Sequence, residues 1–240
     1  MTAAGADALA RLAALPGVST AAALAGTRAS AASDGSTLPV AEPLAVLGGL
    51  RRGTTVSVTG STSLLLALLA EATATATATG SWAAVVGMPS LGIVAAAELG
   101  VTLERVVLLP RPGADTAAAM GALIDGLDIV VLGPALCRTI SPAGAARFSR
   151  RARNRRSVLI AAEPWPGTDV DLRAEPGRWH GAAVDGHGRL ERRDAVIQRY
   201  GRRATAASAA VQLPGPDGTI TAKPAVAGKG VRPTMTVVAL

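Results

Sequence analysis

The residues whose types and spacing come nearest to chemistry lie in VLGGLRRGTTVSVTGSTSLLLALLAEA, positions 46–72. A Gly-Gly turn, a basic pair with glycine, a β-branched run and then a glycine opening a helix is the plan of a phosphate-holding loop. Such a loop reads G-x-x-x-x-G-K-[ST]. Its glycines let backbone N–H groups wrap the phosphates, its lysine neutralises them and its hydroxyl holds magnesium. Gly60 supplies the first glycine here, but the second falls at Leu65, the lysine at Leu66 and the hydroxyl at Ala67. Leucine brings no charge to a triphosphate, and its Cβ resists the tight path that glycine allows. No lysine precedes Lys223, so shifting the frame does not recover the motif. The hydroxyls of Ser61, Thr62 and Ser63 either cap the following helix or hold one anion at its N-terminus.

A second candidate is RFSRRARNRR, which puts six arginines (Arg147, Arg150, Arg151, Arg153, Arg155 and Arg156) into residues 147–156. On a helix Ala145, Phe148 and Ala152 share one side, while Arg147, Arg150 and Arg151 point away. That face suits DNA phosphates or an acidic partner, or is simply a solvated helix face. Arg192, Arg193, Arg199, Arg202 and Arg203 form a second basic cluster. Each cluster has one aromatic, Phe148 on the apolar side and Tyr200 alone, so stacking on successive single-stranded bases has little support. Trp165, between the prolines of EPWPG, is either an exposed partner anchor or a cover for the sheet edge. His180 and His187 with Asp185 lack a third firm ligand and read as a surface turn, so no metal is expected. Cys137 has no histidine near it in sequence and reads as a buried or incidental thiol.

The elements that must position these residues alternate from Leu38 onward. Strands are expected at 54–59, 82–86, 105–109, 128–132 and 157–162, and helices at 61–79, 91–99, 115–127 and 142–155. DIVVL and SVLIAA have no polar alternation, as in strands covered on both faces. Ser141-Pro142 supplies an N-cap and a first-turn proline, and Gly100 a helix stop. After Pro164 the helical pattern ends, and shorter strands are expected near 168–174, 178–184, 189–199, 208–213 and 218–222. The fold class is α/β: a doubly wound, mostly parallel sheet with helices on both faces and an antiparallel C-terminal extension. Residues 1–37, with short helices at 6–15 and 19–25 and the polar linker SAASDGST, form an N-terminal segment. Residues 38–222 form the core, and 223–240 a tail whose TMTVVAL end is β-prone.

The run from Leu47 to about Trp165 resembles the RecA ATPase core. WAAVVGMPSLGIVAAAELGVTLERVVLLPRPGADTAAAMGALIDGLDIVVLG, residues 82–133, carries most of the resemblance. RecA-like proteins have a strand ending in an acid, a helix ending in Leu-Gly-Val, another strand and helix, then a Walker B strand. Leu99-Gly100-Val101 and the strands at 105–109 and 128–132 match in order and spacing. The resemblance implies a catalytic glutamate near Gly87 to Ser90, where the sequence reads GMPS, and a Walker B aspartate where Gly133 stands. Glu163 lies where the family carries a polar sensor residue. Lysine, aspartate and base are thus all missing, so neither ATP hydrolysis nor any cofactor is expected.

Among RecA-like groups the chain is most similar to the ImuA and ImuA-prime accessory proteins of DNA-damage-induced mutagenesis. That resemblance implies a non-catalytic adaptor in translesion synthesis, partnered by a Y-family-like polymerase homologue or another mutasome component, with contacts made by tails and sheet edges; DNA contact is a separate reading of the basic patches. SulA-type division inhibitors are a second RecA-related comparison; a nucleotide sensor with a rearranged site and a plain DNA-binding protein are further alternatives. The formal charge of +7 favours a polyanion or an acidic partner surface. Only 2% of residues are aromatic, so the core must be Ala, Val, Leu and Ile. One cysteine excludes an internal disulfide framework. With no leader-like run and no apolar stretch long enough for a bilayer, the expected location is the cytoplasm, without a membrane.

Overall fold

Short aliphatic strands with no polar side can be satisfied only between two layers of helix. The computed structural model, which describes residues 36–74, 80–182, 187–201 and 206–223, has that arrangement. The expected elements at 6–15 and 19–25, most of the linker, the Ala-Thr run 75–79, Asp185, Arg202, Arg203 and the tail after Lys223 lie outside the described residues.

A small antiparallel ribbon, β1 (Thr37–Leu38) with β2 (Leu50–Arg51), brackets a 3-10 turn at Glu42–Leu47. The alternating core follows: β3 (Thr55–Thr59), α1 (Thr62–Thr73), β4 (Ala83–Val86), α2 (Ile93–Glu98), β5 (Val106–Leu109), α3 (Thr116–Gly126) and β6 (Ile129–Leu132). Next come α4 (Pro134–Thr139), α5 (Pro142–Arg155), β7 (Val158–Ala161) and β8 (Val170–Ala174). The chain closes on β9 (Trp179–Ala182), β10 (Gly188–Gly201), β11 (Ala207–Gln212) and β12 (Thr221–Ala222). The main sheet runs β12-β11-β10-β8-β3-β7-β6-β4-β5, with β9 on β10. Pairs from β8 to β5 are parallel and those from β8 to β12 antiparallel. The expected α/β architecture, a mostly parallel sheet with helices on both faces and an antiparallel extension, is the one observed.

Strand periodicity sorts the core into two layers. Ala83, Val85, Ile129, Val131, Val158 and Ile160 pack toward α1, α2 and the 3-10 turn. Their neighbours Ala84, Val86, Val130, Leu132, Leu159 and Ala161 pack with residues of α3, α4 and α5. On β3 the second face is polar: Ser57 Oγ donates to Asp171 Oδ1 at 2.8 Å, and Thr55 N–H donates to Asp169 Oδ2 at 3.0 Å. Those bonds fasten β8 to β3.

Three expectations are corrected. The helix expected over 61–79 stops at Thr73, whose hydroxyl donates back to Leu69 and Ala70 carbonyls while Ala74 turns extended. Residues 134–139, to which no element is assigned in the sequence, form a helix with Pro134 in its first turn. The strand near 168–174, assigned to the antiparallel flank, pairs parallel with β3 in the register Val56↔Val170. Its connection from β7, residues 162–169, contains no helix, which removes the usual sign of a parallel crossover.

At the antiparallel end, Asp194 on β10 collects His180 Nε2 (3.2 Å), Lys223 Nζ (2.9 Å) and Gln212 Nε2 (3.1 Å). Chiefly the Lys223 hydrogen bond holds its carboxyl down at about 2. A folded pKa below the unfolded value near 3.9 gives stability that is present above about pH 4 and lost as pH falls toward 2. Asp194→Asn is therefore expected to cost about 1 kcal/mol at neutral pH. In urea unfolding at stepped pH, the gap between wild type and variant should close between pH 4 and 2.

Candidate functional site

The phosphate-loop position is built by the turn from β3 into α1. Gly60 has φ 84°, and a Cβ there would lie 2.2 Å from the Ala174 carbonyl oxygen, so β8 presses directly on the loop. Ser61 is the N-cap: its Oγ accepts from Leu64 N–H at 3.2 Å and from Arg193 Nη2 at 2.7 Å. Thr62 and Ser63 form the first turn behind it. Leu65, Leu66 and Ala67, which stand in for glycine, lysine and hydroxyl, are all core residues against the sheet. Leucine-rich α1 is apolar all round because sheet, α2 and the 3-10 turn enclose it.

The acid positions close in a different way. Gly133 ends β6, donating its N–H to the Val86 carbonyl at 2.7 Å. A Cβ on Gly133 would come within 2.2 Å of the Gly87 carbonyl oxygen and 2.7 Å of Met88 Cγ. Gly87 has φ 74°, and its own Cβ would meet Leu136 Cδ1 at 2.4 Å. The ends of β4 and β6 are thus in backbone contact at the two positions where the RecA resemblance would put acids. Glu163, for which the resemblance implies a sensor position, is paired with Arg138. Cys137 is the buried residue of α4, and burial pushes its thiol up to about 11, which keeps it protonated.

The six arginines of α5 and its C-cap divide by what they touch. Ala145, Phe148 and Ala152 are the buried residues of this helix, as its spacing predicts. Arg151 donates twice to Asp125 on α3, at 2.7 Å through both Nε and Nη2, and Arg155 adds longer bonds to the same carboxylate. The Arg151 hydrogen bond holds the Asp125 carboxyl below the usual carboxylate range. Arg153 reaches Asp169 at 3.4 Å, and Arg156 closes the helix in the left-handed conformation, φ 55°. Arg147 and Arg150 are exposed. Arg147, Arg150, Arg151, Asn154 and Arg155 line an open depression of about 390 Å³. Asp125, which sets this pattern, was not singled out in the sequence, because nothing local marks a helical aspartate as the partner of a helix 26 residues away.

Trp165 is not an exposed anchor. It is 4% exposed, packed with Phe148, and its Nε1–H donates to Ser149 Oγ at 3.0 Å. The short helix-free link from β7 to β8 needs an apolar plug, and Trp165 fills that place. The exposed aromatics are Trp179 and Tyr200, each beneath a guanidinium, Arg193 and Arg173 respectively. In the second basic cluster Arg193 is spent on Ser61, and Arg199 donates to the Leu47 carbonyl. Among the described residues no group of His, Cys, Asp or Glu is placed to hold a metal, and no helix is long and apolar enough to cross a membrane.

A further surface lies at one edge of the sheet. β5 sits at the end of the sheet and, among the described residues, pairs only with β4. Leu108 on this strand and Val94 on α2 are 42% and 72% exposed. Leu108 also lines a cleft of about 50 Å³, together with residues that include Leu66, Leu91, Ile93, Val101 and Leu103.

Comparison with known proteins bears on the same region. The model of the MT3502 N-terminal domain family matches residues 43–167. The uncharacterized protein Rv3395c of Mycobacterium tuberculosis (strain ATCC 25618 / H37Rv) is 38% identical over 123 residues, 51% of this chain and 58% of the relative. The chain therefore matches well under two thirds of that relative's length. Among solved structures, the RadB recombinase is similar with a TM-score of 0.48 and 16% identity, covering 75% of this chain and 96% of that one.

Proposed function

We propose that this chain, which belongs to the MT3502 N-terminal domain family, works as a non-catalytic adaptor in the DNA-damage response. Its partner on this reading is a Y-family-like polymerase homologue of translesion synthesis. The observation that carries the reading is the packing at the ends of β4 and β6. Gly133 and Gly87 leave no room for acidic side chains, and Leu65 to Ala67 face the core. A scaffold kept while its reaction centre is filled with backbone and leucine retains surfaces as its means of acting. The sequence resemblance to ImuA-type accessory proteins supplies the partner class.

The β5 edge is the surface best suited to a protein partner. A parallel edge strand with an apolar flank favours pairing with another strand, and apolar anchors beside it give the contact its energy. The test is co-expression and affinity capture with the polymerase homologue encoded in the same genome. A complex is expected at micromolar concentration, retained by Trp179→Ala at the far end of the sheet. Leu108→Asp and Val94→Asp should weaken it by at least about 2 kcal/mol, the scale of a lost interface anchor. No complex with the wild type would overturn the adaptor reading. A complex indifferent to both aspartates would remove the β5 edge from it.

A further inference from the structure

We infer that the arginine face of α5 binds the phosphate backbone of duplex DNA, without reading its sequence. This goes beyond the adaptor reading and does not rest on it. Five side chains line the depression, four arginines and Asn154, and the arginines on it are held in two different states. Arg151 and Arg155 share one carboxylate, Asp125, which fixes two guanidiniums in place on this face. Arg147 and Arg150, one turn apart on the same helix, are exposed. The face therefore carries fixed and adaptable forks together, with a net positive charge.

Two features separate a nucleic-acid backbone from an acidic protein surface. The large exposed hydrophobic residues described are Val46, Ile93, Val94, Leu108, Trp179, Leu190 and Tyr200, and α5 contributes none of them. Protein interfaces draw their energy from a buried apolar or aromatic centre, which this face lacks. Phosphate contacts need no such centre: Arg and Asn donors to phosphate oxygens position a protein on DNA by themselves. The same lack of aromatics separates duplex from single strand, because binding of an unpaired strand relies on stacking its bases. The chain's +7 charge adds long-range attraction of the same sign.

The experiment is fluorescence anisotropy of the full chain with a labelled 20-base-pair duplex, the matching single strand and a poly-glutamate peptide, across a salt series. The duplex should bind more tightly than the other two, with log affinity falling linearly in log salt. Arg147→Ala/Arg150→Ala should lower the slope by about 1.8, roughly 0.9 per phosphate contact, and weaken binding on the order of tenfold. Arg111→Ala/Arg189→Ala, with the same net charge but off this face, should leave affinity within about twofold. Asp125→Asn should tighten binding, since it removes a negative charge beside the face and releases the bidentate hold on Arg151. That gain is one a merely unfolded variant would not produce. The inference is overturned if the duplex does not bind at low salt, or if the double variant off the face matches the one on it. It is equally overturned if poly-glutamate or the single strand binds as tightly as the duplex.

Discussion

Gly133→Asp should destabilise the protein by at least about 3 kcal/mol and should restore no ATP hydrolysis. The substitution returns the acid that a RecA-type Walker B strand would carry, so on sequence grounds alone it looks like a repair. The geometry says otherwise. Gly133 has an ordinary φ of −68°, so it is glycine for want of space and not for backbone freedom. An added Cβ meets the carbonyl oxygen of Gly87 at 2.2 Å, and backbone cannot rotate aside as a side chain can. Gly87 is itself held by its N–H bond to the Leu109 carbonyl and backed by Leu136. Relief requires β4 and β6 to part in the middle of a sheet buried on both faces. Overpacking alone costs about 1–3 kcal/mol, and a carboxylate without a partner at a buried position adds to it. Urea unfolding of Gly133→Asp and phosphate release by Leu66→Lys/Ala67→Thr/Gly133→Asp are the measurements. A stable variant that hydrolyses ATP with magnesium would mean that the site is open, and would end the non-catalytic reading.

How far the sequence could anticipate this depends on the range of the interactions involved. Strand and helix positions were legible because they follow from local periodicity: Phe148, Ala145 and Ala152 turn inward as their spacing demands. Ser61 and Ser141 cap the helices their positions announce. The missing lysine and acids were legible as absences. That the corresponding positions are also sterically closed was not, since the Gly133–Gly87 contact joins residues 46 apart across two strands. Trp165 was ambiguous for the same reason: flanking prolines describe its backbone, while the cavity it fills is made by α5. Parallel β8 was missed because its crossover lacks a helix. The arginine run was visible as composition, but its division into fixed and exposed members depends on Asp125, which only the packing of α3 on α5 brings near.

The largest loss of stability short of a backbone clash should follow Asp128→Ala, about 3–5 kcal/mol. Asp128 precedes β6 at the opposite rim of the sheet from Gly133. Its Oδ1 accepts from Arg52 Nη1 at 2.6 Å and its Oδ2 from Trp82 N–H at 3.0 Å. Its own N–H donates to the Trp82 carbonyl and its carbonyl accepts from Val158 N–H at 2.8 Å. One residue thus ties together the turn before β3, the start of β4 and the start of β7, which are distant in sequence. Both members of the ion pair are largely buried, with side chains 15% and 9% exposed. Alanine would strand the Arg52 guanidinium in that setting and leave the Trp82 N–H without its carboxylate. Asp128→Asn keeps an acceptor for Trp82 and should cost less, while Arg52→Leu/Asp128→Leu removes both charges together. Because the cost of one lone charge disappears in the double variant, its loss should fall below the sum of the single losses by more than about 1 kcal/mol. Native domains hold only about 5–15 kcal/mol in reserve, so Asp128→Ala alone should lower the melting temperature by about 10 °C or more. Additive single and double losses in urea unfolding would show that Arg52 and Asp128 are neighbours without being partners. In that case the rim would be held by the backbone bonds of β4, β6 and β7 alone.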